Sequence, residues 1–265
     1  MKKLRVGTFL APSIMPLYQV ITDEIGRQLG VETELVVETD YDDCKNDIND
    51  VCFVCSLPYV EFERQGISIS EPIAAPVLIG DRYQGKPIYF SDVIVHKDSP
   101  FKTFEDLRGQ SWSYNEPLSQ SGYGITRYHL VNIGETNGYF SEVIESGYHD
   151  ESMRKVAARE VDASAIDSQD LAVAFKQNPT FKESVRVIAS LGPSTIQPMS
   201  VSKRLPLDLR KKIQDIILNL HKDPVMKELF RYGEVSHFTK VDASSYDDIR
   251  EMLAACEDAN FMKIK

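Results

Sequence analysis

The chain has 265 residues and a formal net charge of −10, and its composition (42% hydrophobic, 26% charged) is typical of a globular protein. This length accommodates two lobes of ordinary domain size or one large α/β domain. The negative charge argues against a nucleic-acid-binding protein, which needs a basic surface. No run of about 18 apolar residues occurs, so no membrane-spanning helix is expected.

The amino-terminal sequence MKKLRVGTFL has a basic tip but lacks the apolar stretch and small-residue cleavage site of a signal peptide. It is therefore predicted to be a strand. On this basis the protein is expected to be cytoplasmic if Met1 is its native start.

Strand and helix patterns alternate over the first 90 residues. The predicted elements are a strand at Lys3–Leu10, a helix at Ile14–Leu29 ended by Gly30, a strand at Val31–Val37, a strand at Val51–Ser56, and a helix from Pro58. This βαβα order predicts a mostly parallel sheet with helices on its faces.

The sequence contains four cysteines, Cys44, Cys52, Cys55 and Cys256. Two of them form a C-x-x-C pattern, but DVCFVCS is predicted to be a buried strand. Residues three apart on a strand point to opposite faces and lie about 10 Å apart, which is too far for a disulfide. We therefore interpret these cysteines as small buried hydrophobic residues.

The middle of the chain repeats the α/β pattern. The predicted elements are strands at Tyr89–His96, Gln110–Tyr114, 142–147, 162–166 and 185–190, with helices following Ser119, at Asp150–Arg159 and at Ser168–Lys176. Beyond residue 200 the chain is predicted to be mainly helical, with helices near 209–220, 223–231 and 244–259 and a short strand at Val235–Thr239.

Two lobes account for this order of elements. The first would comprise residues 1–89 and 197–265, and the second residues 90–196, with one chain crossing near residue 90 and a return near residue 195. The sheets would be mixed but mostly parallel, and ligands would bind in a cleft between the lobes.

The stretch EPLSQSGYGITRYHL places two serines and two glycines within Ser119–Gly124, just before a helical pattern. A nucleophile elbow, G-x-S-x-G, is not matched, because Ser119 and Tyr123 stand where glycines would be required. Neither a P-loop nor a dinucleotide fingerprint fits. A simple helix cap and an anion-binding loop both remain open.

Three predicted helix starts carry polar residues, at Ser119–Gly122, Tyr148–Glu151 and Asp167–Asp170. Helix amino termini present unpaired N–H groups and partial positive charge, so they favour anions. A triad of Ser121, His149 and Asp167 can be drawn, but any α/β chain contains such residues. No pair among the five histidines has metal-ligand spacing, so no metal is expected. No cofactor is expected either.

At the level of the family, the sequence resembles the type II periplasmic substrate-binding proteins of phosphonate, phosphite and phosphate transporters. The resemblance rests on the segments YFSDVIVHKDS, DLRG, EPLSQSG, YHDESMRKVAAREVDASAI and DVCFVCSLPY. Within each of these segments the residues have the order and spacing typical of the family. The resemblance extends from residue 3 to about residue 230. It implies an α/β fold of two lobes and capture of a small phosphorus oxyanion by lobe closure.

The resemblance also implies which residues bind the ligand. The anion loop corresponds to Ser119, Gln120 and Ser121, where Gln120 replaces the threonine that is common in the family. The other implied positions are Tyr41, Ser56, Tyr89, His149, Asp167, Gln169 and Gln197. Asp167 could accept a hydrogen bond from a protonated ligand or could cap a helix.

Gln169 and Gln197 stand where aminoalkylphosphonate binders of the family carry carboxylates. A neutral amide cannot compensate a desolvated ammonium group, so 2-aminoethylphosphonate is not the expected ligand. The implied partners are an ABC permease and its ATPase, and a monomer is expected. Family members are exported or lipid-anchored, which conflicts with the lack of a signal-peptide pattern at the amino terminus. From this conflict comes the alternative, a cytosolic enzyme or ligand sensor acting on a small carboxylate or phosphate compound.

Overall fold

The computed structural model describes residues 3–10, 12–37 and 41–265. Its strands are β1 (Leu4–Thr8), β2 (Thr33–Val37), β3 (Val51–Phe53), β4 (Ser70–Leu78), β5 (Ile88–His96), β6 (Ser111–Tyr114), β7 (Glu142–Glu145), β8 (Ala163–Asp167), β9 (Val185–Thr195), β10 (Met199–Ser202) and β11 (Val235–Lys240). Its α-helices are α1 (Met15–Leu29), α2 (Asp42–Lys45), α3 (Ser56–Arg64), α4 (Ile125–Asn132), α5 (His149–Ala157), α6 (Ser168–Gln177), α7 (Pro179–Ser184), α8 (Leu207–Asn219), α9 (Pro224–Tyr232) and α10 (Asp247–Asp258).

The chain divides into two compact units. Unit 1 comprises Met1–Ile88 and Thr195–Asp247, and unit 2 comprises Tyr89–Ser194 and Asp248–Lys265. The α/β fold class predicted from the sequence is confirmed, and each unit is built around one mixed sheet.

Unit 1 contains a six-stranded sheet in the order β11-β4-β10-β3-β1-β2. The first three strands along the chain pair in parallel, as the βαβα pattern predicted. The returning strands β10 and β11 pair in antiparallel fashion. Three of the five pairings in this sheet are therefore antiparallel, so the expectation of a mostly parallel sheet is wrong for unit 1, because the returning segments add strands of the opposite direction. The first helix ends where the sequence predicted, because Gly30 adopts a left-handed conformation (φ 67°) that an L-residue seldom takes.

Strand β4 has no counterpart in the sequence-based prediction. Two prolines, Pro72 and Pro76, argue against a central strand because they cannot donate to a neighbouring strand. The structure nevertheless places β4 between β10 and β11. The register of β10 shifts between Met199 and Ser200, beside Pro72, so a local irregularity accommodates the missing donor.

Unit 2 contains a five-stranded sheet in the order β7-β6-β8-β5-β9. Strand β6 pairs in parallel with β7 and β8, whereas β5 runs antiparallel to β8. One hydrophobic cluster of this unit joins β5 and β8 to the helices α5 and α6; its buried members are Ile94, Met153, Val156, Val161, Ile166, Leu171 and Val185. This packing holds α5 and α6 against the sheet.

The carboxyl-terminal region differs from the sequence-based division, which placed all of residues 197–265 in the first lobe. In the structure Asp248–Lys265 belongs to unit 2. The reason is visible in its contacts, since the Met262 carbonyl accepts a hydrogen bond from Arg127 and the Ile264 N–H donates to Tyr123. The chain therefore passes between the units a third time.

The cysteines do not form disulfides with one another, and Cys44, Cys52 and Cys256 are buried as expected. Cys55 is only half-buried, contrary to expectation, because β3 ends at Phe53 and Cys55 lies at the start of α3. Burial raises the pKa of the Cys256 thiol. No helix within the described ranges is both long enough and apolar enough to cross a bilayer.

Candidate functional site

The candidate site is centred on the turn that precedes α4, which we call the anion loop (Ser119–Gly124). Residues Gln120–Gly124 form a wide π-helical turn, a geometry often found at functional sites. Ser119 caps this turn: its Oγ accepts from the Gly122 N–H at 3.0 Å, and its carbonyl accepts from Gly124 at 2.8 Å. The helix cap anticipated from the sequence is therefore present.

The cap is also part of a chain of buried polar side chains. Ser119 Oγ lies 3.2 Å from Ser121 Oγ, and Ser121 Oγ lies 2.8 Å from Nε2 of His149, the first residue of α5. All three side chains are buried. Three of the predicted ligand-binding residues therefore lie in contact with one another, and their contacts connect two of the predicted helix starts.

His149 is held in its neutral form. Its burial lowers the pKa to about 4, because the charged imidazolium would be desolvated. Within the described part of the chain, Nδ1 is buried without a hydrogen-bond partner. Since an orphaned buried N–H is rarer than an orphaned acceptor, the proton is best placed on Nε2. His149 then donates to Ser121 Oγ, and the Ser121 hydroxyl proton remains available to an anion.

Three serines that sequence reasoning missed secure the start of α5. Ser146 Oγ donates to the Tyr114 carbonyl at 2.9 Å and lies 2.6 Å from Ser152 Oγ, which in turn lies 3.2 Å from Ser113 Oγ. These bonds connect α5 to β6 and so fix the position of His149. Isolated serines on a strand, a loop and a helix give no sequence signal for such a network.

Gly122 is required by its surroundings. A Cβ at this position would overlap the side-chain oxygen of Asn115, a half-buried residue that the sequence reasoning did not single out. That oxygen has no hydrogen-bond partner among the described residues. The sequence predicted that the glycine lets a ligand approach, and the structure adds that it accommodates Asn115.

Gln120 is directed differently from its two serine neighbours. Its Nε2 donates to Ser194 Oγ at 3.3 Å and to Met252 Sδ at 3.2 Å, and the residue is 1% exposed. Its amide nitrogen is therefore engaged inside unit 2. A ligand contact of this side chain stays a prediction.

Asp167 acts as the cap of α6, since its Oδ1 accepts from the Gln169 N–H at 2.8 Å. This is one of the two roles that the sequence left open. Tyr89 is buried on β5, and Ser91 shares its face of the strand because it lies two residues further on. Ser91 was not predicted as a site residue; it pairs in register with Asp167, and its buried hydroxyl has no partner among the described residues.

The other predicted site residues belong to unit 1. Tyr41 is buried and stacks on Phe9, with ring centroids 4.6 Å apart. Ser56 is the first residue of α3, two residues before the predicted start, and its buried hydroxyl has no partner within the described ranges. Gln197 is buried between β9 and β10.

The arrangement of unit 2 suits anion binding better than nucleophilic catalysis. Ser121 and His149 are within hydrogen-bond distance, but a triad also needs a group that orients the histidine through Nδ1. Asp167 caps α6 instead, so Ser121, His149 and Asp167 do not form a triad. Across the described residues no group of three or more His, Cys, Asp or Glu side chains could hold a metal ion.

Comparison with known proteins agrees with this geometry. The sequence model of one family, described as the periplasmic phosphonate-binding component of ABC transporters, matches residues 8–246. The phosphonates-binding periplasmic protein of Escherichia coli (strain K12) is 23% identical over 235 residues. That alignment covers 84% of this chain and 66% of the relative, so the chain spans slightly less than two thirds of the relative's length.

Two solved structures are similar over most of their length. A binding protein component of an ABC phosphonate transporter from Pseudomonas aeruginosa has a TM-score of 0.85 and 17% identity, covering 98% of this chain and 88% of that chain. A protein from Prochlorococcus marinus (MIT 9301) in complex with methylphosphonate has a TM-score of 0.81 and 19% identity, covering 98% of both chains. At these identities the likeness shows the fold.

Proposed function

This chain belongs to the family of periplasmic substrate-binding proteins of ABC phosphonate transporters, and we propose that it captures a small phosphorus oxyanion for such an importer. The observation that carries the proposal is the buried Ser119–Ser121–His149 chain at two helix starts. Methylphosphonate is the ligand of the similar Prochlorococcus marinus protein, and phosphate, phosphite and phosphate esters share its oxyanion chemistry.

The hydroxyls of Ser119 and Ser121 supply neutral donors, and the helix amino terminus supplies backbone N–H groups. In each of these hydrogen bonds the protein donor is neutral and the ligand oxygen is charged. Such bonds are stronger than those between two neutral groups. Closure of two lobes around the ligand stays a prediction, as do the ligand contacts of Tyr41, Ser56 and Tyr89. An ABC permease and its ATPase are the proposed partners.

The ligand's organic group is proposed to be small and uncharged. Gln169 and Gln197 are both buried, and neither side chain carries the negative charge that an ammonium group would need. Methylphosphonate should therefore bind more tightly than 2-aminoethylphosphonate. The variant Gln169→Glu should reverse or reduce this preference if the residue faces the organic group of the ligand.

The direct test is a binding panel of methylphosphonate, phosphite, phosphate, a phosphate ester, 2-aminoethylphosphonate and sulfate, measured by calorimetry and thermal unfolding. A ligand at about 100 times its Kd should add about 2.7 kcal/mol to the free energy of unfolding. For a chain of this size that corresponds to a rise in Tm of roughly 5–10 °C.

Absence of binding to every phosphorus compound in the panel would refute the proposal. Tighter binding of the amino compound than of methylphosphonate would refute the specificity alone. Phosphorus NMR of the recovered ligand distinguishes capture from catalysis, because a binding protein returns the compound unchanged.

A further inference from the structure

The face of the anion loop and α4 that carries Gln120, Tyr123 and Arg127 packs against the C-terminal segment (Asp248–Lys265). The spacing of these three residues, i, i+3 and i+7, places them on one side of a helical surface. Each makes a hydrogen bond to the segment: to Met252 Sδ at 3.2 Å, to the Ile264 N–H at 3.1 Å and to the Met262 carbonyl at 3.0 Å. The Arg127 guanidinium also lies over the Tyr123 ring, 5.0 Å from its centroid.

The donors of the Gln120 side chain are fully used by this packing. A primary amide has two N–H donors, and here one acceptor for each is present: Ser194 Oγ at 3.3 Å and Met252 Sδ at 3.2 Å. Ser194 and Met252 are themselves close, with Oγ and Sδ 3.9 Å apart. For the amide to bind an anion, it would have to abandon these buried acceptors.

From this geometry we propose that Gln120 is a positioning residue: through Ser194 and Met252 it ties the anion loop to the C-terminal segment, and the ligand's side-chain donors are Ser119 and Ser121. The inference rests on the proposed function for its ligand, but the tie itself exists without one. Gln120 was expected to contact the ligand directly; in this proposal it instead holds the anion loop in its wide turn.

The first test needs no ligand. Gln120→Met keeps the side-chain length and removes both donors, and Ser194→Ala removes one acceptor. In hydrogen exchange, the amides of Gly122–Gly124 should exchange faster in either variant than in the unmodified protein. The matched control is Gln214→Met in unit 1, where the amide donates to the Ile73 carbonyl at 2.7 Å; it should leave the exchange of the loop unchanged.

The second test is a double-mutant cycle on affinity for methylphosphonate. Loss of one neutral hydrogen bond should weaken binding about fivefold, and the Gln120→Met/Ser194→Ala double variant should also be weakened only about fivefold, because both changes break the same tie. Met252→Leu, which keeps the volume and removes the sulfur acceptor, repeats the cycle if Ser194→Ala does not fold.

Additive losses, about 25-fold in the double variant, would show that Gln120 contacts the ligand independently and would overturn the inference. Unchanged loop exchange in both single variants would overturn it as well. If the unmodified protein binds neither methylphosphonate nor phosphate, the proposed function fails, and the exchange experiment alone decides the role of Gln120.

Discussion

Buried His149 should make the protein less stable as the pH falls, and His149→Gln should remove that part of the pH dependence. The pKa of the imidazole is lowered from 6.5 to about 4 by burial. Below pH 6.5 the unfolded chain therefore binds a proton that the folded protein does not accept. Stability is lost progressively between pH 6.5 and about 4, and the loss is complete below the folded-state pKa.

The expected magnitude follows from the difference between the two pKa values. A difference of about 2.5 pH units corresponds to about 3 kcal/mol, with a maximum slope of about 1.4 kcal/mol per pH unit. This is a large part of the 5–15 kcal/mol that typically stabilises a folded domain. The source of the effect is desolvation, since among the described residues the ring bonds only to the neutral hydroxyl of Ser121.

Urea unfolding at a series of pH values from 4 to 7, without ligand, measures the effect in both proteins. Carboxylates titrate in the same range, but they are common to both proteins and cancel when the two curves are subtracted. His237→Gln is the control, since this histidine is only half-buried and should leave most of the pH dependence in place. Parallel curves for the unmodified protein and His149→Gln would show that His149 is not desolvated.

Substitution of Ser119 or Ser121 by alanine removes a hydroxyl donor and should weaken methylphosphonate binding about tenfold in calorimetry; unchanged affinity would mean that the hydroxyls do not contact the ligand. Gly122→Ala places a methyl group against Asn115 and should lower the Tm and abolish measurable binding, and normal binding would contradict the packing described. Asp223→Ala removes the cap of α9 and should lower the free energy of unfolding in urea by about 1 kcal/mol with no effect on affinity, so altered affinity would be unexpected.

Local sequence patterns predicted most of the elements that build the two units. The apolar period of α1, the glycine that ends it and the β-branched runs of β2 and β5 are short-range signals, and each is reproduced in the structure. Strand β4 was missed because its prolines oppose a strand locally, whereas its two neighbouring strands decide its conformation. Pairing with strands that are distant in the sequence cannot be predicted from a local segment of about ten residues.

The arrangement of the candidate site was predicted in part, whereas its ligand contacts stay predictions. Ser119, Ser121 and His149 were expected at neighbouring helix starts, and the structure brings them within hydrogen-bond distance. The direction of the Gln120 side chain could not be predicted, because its partners Ser194 and Met252 lie 74 and 132 residues away in the chain. The membership of Asp248–Lys265 in unit 2 was missed for the same reason: helical periodicity shows which face is apolar but not what covers it.

These long separations have a consequence for folding during synthesis. The anion loop meets its partners in the C-terminal segment only after 132 to 141 further residues have been added. At the usual rate of about 5–20 residues per second, the ribosome needs roughly 7–28 s for that length. Throughout this interval Gln120, Tyr123 and Arg127 lack those partners, so the loop is expected to become rigid late, and a fragment ending before Met252 would carry the loop without its support.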